Sequence, residues 1–144
     1  MKSRQLQHHF PWSYELMFDL VADIERYHEF LPGWSPARIT QREGNFLTVL
    51  QQIDLGVVQL AFESRAELQR PEQLRISSEA GPFRDLLLDW RFLPASDGGC
   101  SVTLAVQLAM RSLLLEAVGS RMLDMLTADL IRRFHDRARD LYGF

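Results

Sequence analysis

The amino-acid sequence predicts an α+β fold in which a curved antiparallel sheet packs around one long C-terminal helix. Three observations lead to this class. Hydrophobic residues recur with a helical period after Pro11, then with a period of two over residues 37–111, and again with a helical period over residues 112–142. Strands and helices of this kind each have one apolar face, and packing these faces together is the economical way to bury them.

The N-terminal segment predicts a strand and two helical pieces. Residues 3–10 indicate a weak strand, which Pro11 ends. Ser13 is a suitable N-cap for a helix that begins near Tyr14, because its hydroxyl can accept a hydrogen bond from a backbone N–H of the first turn. A second short helical piece is expected over residues 23–29, before the sequence Phe-Leu-Pro-Gly stops it.

The central part of the chain predicts roughly six half-buried antiparallel strands. Segment 85–93 is typical, because Leu86, Leu88, Trp90 and Phe92 share one face and alternate with mostly polar residues. The sequences REGN, RPEQ, AGPF and ASDGG separate the strands and carry the Gly or Pro that turns favour.

The C-terminal segment predicts one continuous helix over residues 112–142, with Ser112 as its N-cap. Its buried stripe follows helical spacing and consists of Leu123, Leu126, Leu130, Phe134, Ala138 and Leu141. The first half is apolar over more than one face, which predicts burial on several sides or contact with a second apolar surface. Gly119 lies in this half and predicts a kink or a close approach to another element.

An aromatic segment after the first helices suggests the rim of a pocket. Tyr27, Phe30 and Trp34 crowd around Pro32 and Gly33, where the helix has to end. Such a rim beside the apolar half of the last helix, with the inner face of the sheet as floor, would enclose an apolar ligand. The alternative is that these rings and the nearby methionines fill an ordinary core.

Residues 17–34 read MFDLVADIERYHEFLPGW and match the motifs of a known family. The matching residues are Phe18, Asp19, Leu20, Val21, Asp23, Ile24, Tyr27, Phe30, Leu31 and Pro32. Three later segments agree in order: FESRAELQRPEQLRI, GPFRDLLLDWRF and AVGSRMLDMLTADLIRRFHDRARDLYG. On these motifs the chain resembles the START-type, polyketide cyclase-like coenzyme Q-binding family, which includes the bacterial ribosome-association toxin.

The resemblance implies a helix-grip fold of the START/Bet v 1 type that encloses a hydrophobic cavity. It implies binding of an isoprenoid quinone or similar lipid in the mitochondrial branch and binding to the large ribosomal subunit in the bacterial branch. The chain departs from many relatives at Gly33-Trp34-Ser35. There the relatives have Trp-Cys directly after Leu-Pro, so the aromatic ring is displaced by one residue.

The leading hypothesis is non-enzymatic binding of ubiquinone between the sheet and the C-terminal helix, in support of respiratory electron transport. The residues expected to contact the ligand are Tyr27, Phe30, Leu31, Trp34, Phe62, Trp90, Val118, Met122 and Leu126. We expect no catalytic residue, no metal ligand and no cofactor beyond a bound quinone or other lipid. The rivals are a toxin that binds the large ribosomal subunit and blocks subunit joining, and, by fold analogy alone, a cyclase-like enzyme.

Composition limits the remaining possibilities. With 144 residues, 47% hydrophobic and 24% charged, the chain has the length of one globular domain over residues 1–144. A net charge of −3 argues against a DNA partner. The single cysteine, Cys100, cannot form an internal disulfide, and the N-terminus lacks an apolar signal core. We therefore expect a bacterial-type cytoplasmic protein, with peripheral contact to the inner membrane as a further option.

Two sets of side chains call for an alternative interpretation. The four histidines, His8, His9, His28 and His135, lack metal-ligand spacing, and solvated surface positions explain them better. The basic residues of the last helix are candidates for contacts to ribosomal RNA phosphates: Arg121, Arg132, Arg133, Arg137 and Arg139. Aspartates interleaved with them favour an ordinary solvated helix face instead.

Overall fold

The computed structural model describes residues 2–56 and 58–143, and seven strands within them form one antiparallel sheet. The strands are β1 (Lys2–Phe10), β2 (Arg38–Glu43), β3 (Phe46–Asp54), β4 (Gln59–Gln69), β5 (Gln73–Ser78), β6 (Phe83–Pro94) and β7 (Cys100–Met110). Their order across the sheet is β1-β7-β6-β5-β4-β3-β2. The predicted N-terminal strand and the six strands after it are thus confirmed.

The helices follow one another along the chain in the predicted order. They are α1 (Tyr14–Ala22), a 3-10 segment (Ile24–Glu29), a 3-10 turn (Leu113–Leu115), α2 (Glu116–Ala128) and α3 (Leu130–Tyr142). The N-cap prediction for α1 is confirmed, because the Ser13 hydroxyl accepts a hydrogen bond from the backbone N–H of Leu16 at 3.3 Å. By contrast, the Ser112 side chain makes no capping hydrogen bond.

The prediction of one continuous C-terminal helix is wrong. The helix is interrupted at Asp129, whose φ of −125° and ψ of −24° lie outside the helical values. The Asp129 carboxylate accepts hydrogen bonds from the side chains of Arg132 and Arg133. Its negative charge therefore lies at the N-terminus of α3, where the helix dipole favours an anion. Aspartate is also a poor former of helix interiors, so the break occurs at a residue suited to it.

The wide apolar pattern before the break does not reflect burial on several sides. Leu113 and Leu114 are 88% and 92% exposed, and they lie in the 3-10 turn that precedes α2. The buried residues of α2 itself are Gly119, Met122, Leu123 and Leu126. The apolar residues that appear to cover several helix faces thus belong partly to an exposed turn and partly to a helix that buries a single face.

Gly119 lies at a close approach between α2 and β7, which is one of the two predicted explanations. A Cβ atom built on Gly119 would lie 2.8 Å from Cγ of Met110 and 3.2 Å from its Sδ. Because Met110 is buried, that side chain has little room to move away. Glycine lets the first turns of α2 lie directly on the sheet.

The inner face of the sheet carries the core as the strand pattern predicts. Leu86, Leu88, Trp90 and Phe92 of β6 are all buried, and the corresponding alternate residues of β7 are buried with them. The α2 helix packs on β1 and β7, while α1 packs on β5, β6 and β7. Within the described residues, no helix is long and apolar enough to cross a membrane.

Candidate ligand-binding site

A small cavity lies between the inner face of the sheet and the two C-terminal helices. Its lining consists of Tyr27, Trp34, Gln51, Ile53, Phe62, Ile76, Leu86, Leu88, Trp90, Met122, Leu126, Leu130 and Phe134. None of these side chains carries a formal charge. The cavity has a volume of about 20 Å³, room for about one water molecule. The site is therefore uncharged, largely apolar and nearly closed in this conformation.

Gly33 fixes the position of Trp34 at this cavity. Its φ is +83°, and a Cβ atom there would lie 2.5 Å from the carbonyl oxygen of Asp54. The backbone N–H of Asp54 donates to the Gly33 carbonyl at 2.7 Å, and Trp34 forms a β-bridge with Ile53. The segment around Gly33 therefore runs alongside the end of β3, and Trp34 is held by backbone pairing rather than by a mobile loop.

The aromatic segment and α3 form one ring cluster. The Tyr27 ring lies 5.4 Å from that of Trp34 and 5.5 Å from that of Phe134, both edge to face. Phe134 also contacts Phe30 at 5.2 Å and Trp90 at 5.4 Å. Edge-to-face contacts of this kind stabilise aromatic pairs beyond their buried area. The rings that end the N-terminal helical pieces thus connect them to α3.

Six of the nine residues predicted to contact a ligand line the cavity: Tyr27, Trp34, Phe62, Trp90, Met122 and Leu126. The other three lie elsewhere. Phe30 covers Phe134 and has the Arg137 guanidinium over its outer face, 5.1 Å from the ring centre. Leu31 is buried beside the cavity, and Val118 is half-buried at the edge of the core.

Seven lining residues were absent from the sequence-based set: Gln51, Ile53, Ile76, Leu86, Leu88, Leu130 and Phe134. Most of them were detectable. The five strand residues occupy alternate, inward-facing positions of β3, β5 and β6, and the two helical residues belong to the predicted stripe. The sequence did not show at which part of that continuous apolar face the sheet and the helices are far enough apart to leave a cavity.

Four side chains of the cavity lining carry a polar group: Tyr27, Trp34, Gln51 and Trp90. The Tyr27 hydroxyl donates to the carbonyl oxygen of Val21, and burial raises the pKa of Tyr27 above its usual range. The Gln51 amide Nε2 donates to Oγ of Ser64 at 2.8 Å. Trp34 is half-buried. Trp90 is 1% exposed, and its Nε1 has no hydrogen-bond partner among the described residues.

A surface groove, here called the vestibule, adjoins the cavity at the break between α2 and α3. It has a volume of about 190 Å³ and is lined by Leu31, Pro32, Trp34, Met125, Asp129, Leu130 and Arg133. Trp34 and Leu130 line both the vestibule and the cavity. These two side chains therefore form the wall between the inner space and the surface.

Two side chains that can ionise, those of Cys100 and Asp89, lie outside the cavity lining. Cys100 is buried at the start of β7, and burial raises the pKa of its thiol to about 11, so it stays protonated. Asp89 accepts hydrogen bonds from Gln73 at 2.8 Å and from Arg91 at 3.2 Å. Across residues 2–56 and 58–143, no group of three or more His, Cys, Asp or Glu side chains is arranged to hold a metal ion.

Two of the four histidines are half-buried rather than fully solvated, and they face each other. His8 Nε2 lies 3.1 Å from His135 Nδ1, which joins β1 to α3. The Phe10 ring stacks near His135 at 5.5 Å, and Trp12 contacts the same imidazole at 5.1 Å. Strand β1 and helix α3 are distant in sequence, so spacing along the chain gave no sign of this pair.

The basic residues of α3 are largely paired with acidic side chains. Arg133 lies 2.5 Å from Asp129, and Arg139 lies 3.5 Å from Asp136. Arg132 contacts both of these aspartates. The positive charge of this face is thus partly neutralised within the helix.

Several known proteins are similar to this chain in sequence. A sequence model of the family described as polyketide cyclase / dehydrase and lipid transport matches residues 11–135. The chain is 28% identical to the persistence and stress-resistance toxin PasT of Escherichia coli strain CFT073, over 92% of this chain and 84% of that protein. The ribosome association toxin RatA of E. coli K12 is 27% identical with the same coverage. The mitochondrial coenzyme Q-binding protein COQ10 homolog B of Xenopus laevis is 24% identical over 92% of this chain and 56% of that protein.

Solved structures agree with the predicted START/Bet v 1-like fold. The solution structure of CC1736 from Caulobacter crescentus is 26% identical and covers all of both chains with a TM-score of 0.78. TTHA0849 from Thermus thermophilus has a TM-score of 0.81 at 15% identity, over 97% of this chain and 99% of that one. The Zhui aromatase/cyclase of Streptomyces has a TM-score of 0.75 at 15% identity, over 97% and 96%. The last two likenesses concern the fold alone.

Proposed function

The chain belongs to the polyketide cyclase / dehydrase and lipid transport family, and we propose that it binds a neutral isoprenoid quinone between its sheet and its C-terminal helices. The observation that carries this proposal is the uncharged lining of the cavity. A charged group moved into such surroundings would lose its hydration without gaining a partner, whereas a neutral apolar ligand gains free energy from burial. The name of the Xenopus relative, a coenzyme Q-binding protein, supports the same ligand class.

The proposed role is binding rather than catalysis. The cavity lining contains no carboxylate, imidazole, thiol or amine, which are the groups that most often act as general acids, bases or nucleophiles. Tyr27 is the one lining residue with an acidic proton, and its hydroxyl is engaged by the Val21 carbonyl. By sheltering a quinone, the protein would support respiratory electron transport without reacting with the quinone itself.

Binding requires the cavity to open. A quinone ring with its substituents occupies several times the ~30 Å³ share of one water molecule, so the present space of about 20 Å³ is too small for it. The break at Asp129 allows α2 and α3 to move separately, and the vestibule leads to the wall formed by Trp34 and Leu130. We therefore propose that the ligand passes this wall when the helices move away from the sheet.

The exposed turn before α2 is suited to contact the membrane from which such a ligand comes. Leu113 and Leu114 are almost fully exposed, and they follow β7 at the same end of the sheet where Trp34 pairs with Ile53. Two adjacent leucines can insert into the boundary between lipid headgroups and acyl chains. We propose peripheral contact through this turn.

Fluorescence titration with decylubiquinone tests the binding proposal. Quinones quench tryptophan emission at contact, and Trp34 and Trp90 line the cavity. We expect saturable quenching in the wild type and much weaker quenching in Leu126→Phe, in which extra volume fills the cavity at a cost of about 1–3 kcal/mol in stability. Leu141→Phe on the exposed side of α3 is the matched control and should behave as the wild type. Equal quenching in all three proteins would contradict binding at this site.

Association with the ribosome, through its large subunit, is the second candidate, and the name of the RatA relatives, ribosome association toxin, supports ribosome association. The basic face of α3 is the surface that RNA phosphates would contact, although aspartates neutralise part of its charge. Co-sedimentation with ribosomal subunits at increasing salt tests this function. Salt-dependent binding to the large subunit that Arg132→Glu abolishes and Leu126→Phe leaves intact would place the function on the surface.

A further inference from the structure

Trp90 is a residue of the cavity lining whose buried N–H has no partner among the described residues, and we infer that the ligand presents a hydrogen-bond acceptor, such as a ring carbonyl oxygen, to its Nε1. This inference rests on the proposed function and specifies the chemical group by which the site selects among neutral lipids. Trp90 is 1% exposed, lies in the cavity lining and has no partner for Nε1 among the described residues. A buried donor left without a partner costs free energy that an acceptor on the ligand would recover.

The other polar groups of the lining are either engaged in hydrogen bonds or less buried than the Trp90 N–H. The Tyr27 hydroxyl proton is used by the Val21 carbonyl oxygen. The Gln51 amide donates one of its two N–H groups to Ser64. Trp34 also carries an indole N–H, but its side chain is only half-buried. The Trp90 N–H is therefore the fully buried donor of the lining that has no partner among the described residues. Because it can donate but never accept, it favours a carbonyl over a pure hydrocarbon.

The position of Trp90 also orients the ligand. Trp34 and Leu130 line both the vestibule and the cavity, whereas Trp90 lines the cavity alone. Trp90 stacks 6.3 Å from Phe92 and meets Phe134 edge to face, so packing on both sides holds its ring. The acceptor-bearing ring thus enters first, and the prenyl tail trails past Trp34 and Leu130 towards the surface.

A pair of matched probes tests the inference: trimethyl-decyl-1,4-benzoquinone and its hydrocarbon isostere, in which methyl groups replace both carbonyl oxygens. Their dissociation constants are measured by equilibrium dialysis for the wild type, Trp90→Phe and Trp12→Phe. We expect the wild type and Trp12→Phe to bind the quinone more tightly than the hydrocarbon. In Trp90→Phe, the ratio of the two dissociation constants should fall about fivefold to tenfold, which corresponds to the loss of one hydrogen bond. Trp12 lies outside the cavity and controls for the loss of an indole as such.

The outcomes separate the inference from the function on which it rests. Binding of both probes with the same preference in the wild type and Trp90→Phe overturns the inference and leaves the proposed function in place. Failure of both probes to bind the wild type overturns the two together. Infrared spectra of the bound quinone give a second measurement: one carbonyl stretch should lie at lower frequency in the wild type than in Trp90→Phe, and an unchanged spectrum contradicts the hydrogen bond.

Discussion

Trp34 and Leu130 together form the boundary between the buried cavity and the vestibule at the helix break, because each of them lines both spaces. Trp34 is held by its bridge to Ile53 and by the glycine before it, whereas Leu130 is the first residue of α3. The sheet side of this boundary is therefore held by backbone pairing, whereas the helix side follows directly after the break at Asp129 and is the side that the proposed opening would move.

Shortening the helix side of this wall should speed ligand exchange. We expect Leu130→Ala to raise both the association and the dissociation rate of decylubiquinone severalfold in stopped-flow quenching, because a smaller side chain obstructs the passage less. Leu123→Ala is the matched control: Leu123 is buried on α2 but lines neither space. Both variants should lose about 2–5 kcal/mol of stability, so faster exchange in both would point to general loosening rather than to a gate.

Introducing a methyl group at Gly119 should destabilise the fold although alanine is the better helix former. Helix propensity favours the substitution by about 1 kcal/mol, but the new Cβ would lie 2.8 Å from Cγ of Met110. We expect Gly119→Ala to lower the free energy of unfolding in urea by about 1–2 kcal/mol. In a Met110→Ala background the same change should become neutral or stabilising, and an equal loss in both backgrounds would rule out the steric explanation.

Acidification should loosen the contact between β1 and α3. Burial lowers the pKa of both His8 and His135, so the folded state favours their neutral forms. Unfolded histidines bind protons near the ordinary pKa of about 6.5. The stability that these neutral side chains contribute is therefore present above that pH and is lost as the pH falls below it. We expect the melting temperature to fall on going from pH 7 to pH 5.

Single-residue variants test whether the pair of His8 and His135 causes this fall in melting temperature. His8→Gln should show a shallower fall in melting temperature over the same range, because one of the two facing imidazoles is gone. His28→Gln should retain the slope of the wild type, since His28 is exposed. The carboxylates of Asp97 and Asp129 have lowered pKa values because of their hydrogen-bond partners, so their contribution is lost at still lower pH. An unchanged slope in His8→Gln would contradict the role of the pair.

Removing the two exposed leucines should weaken membrane contact without affecting the fold. We expect the double variant Leu113→Ser, Leu114→Ser to co-sediment with phosphatidylcholine vesicles less than the wild type, because less apolar surface can be buried in the bilayer. The double variant Leu93→Ser, Leu141→Ser removes two exposed leucines, 63% and 51% exposed, that lie outside this turn on β6 and α3, and is the matched control. Equal loss of sedimentation in the two double variants would mean that the contact is nonspecific.

The strands and their inward faces could be predicted from the sequence because a period of two directly reports which side of a sheet is buried. The inward positions of β6, including Trp90, follow this rule. The break at Asp129 could not be predicted in the same way, because the apolar stripe continues in phase across it. Asp129 forms ion pairs with Arg132 and Arg133, but their i, i+3 and i, i+4 spacing is equally compatible with an unbroken helix, so it gives no sign of the break.

The position of the cavity depends on distances between side chains, and the hydrophobic periodicity of the sequence does not report these distances. Val118 and Met122 look equivalent in the sequence, yet Met122 lines the cavity and Val118 lies at the edge of the core. Leu113 and Leu114 strengthened the expectation of a pocket, although both are exposed. Whether Phe30, Leu31 or Val118 contacts a ligand in an open conformation remains a prediction.

Mass spectrometry of an organic extract of the freshly purified protein tests the central claim most directly. A quinone at close to one molecule per chain, absent from an unrelated soluble domain purified in parallel and reduced in Leu126→Phe, is the predicted result. An extract no richer in quinone or other lipid than the control, from a protein that co-sediments with the large ribosomal subunit, would contradict the account and assign the function to the surface.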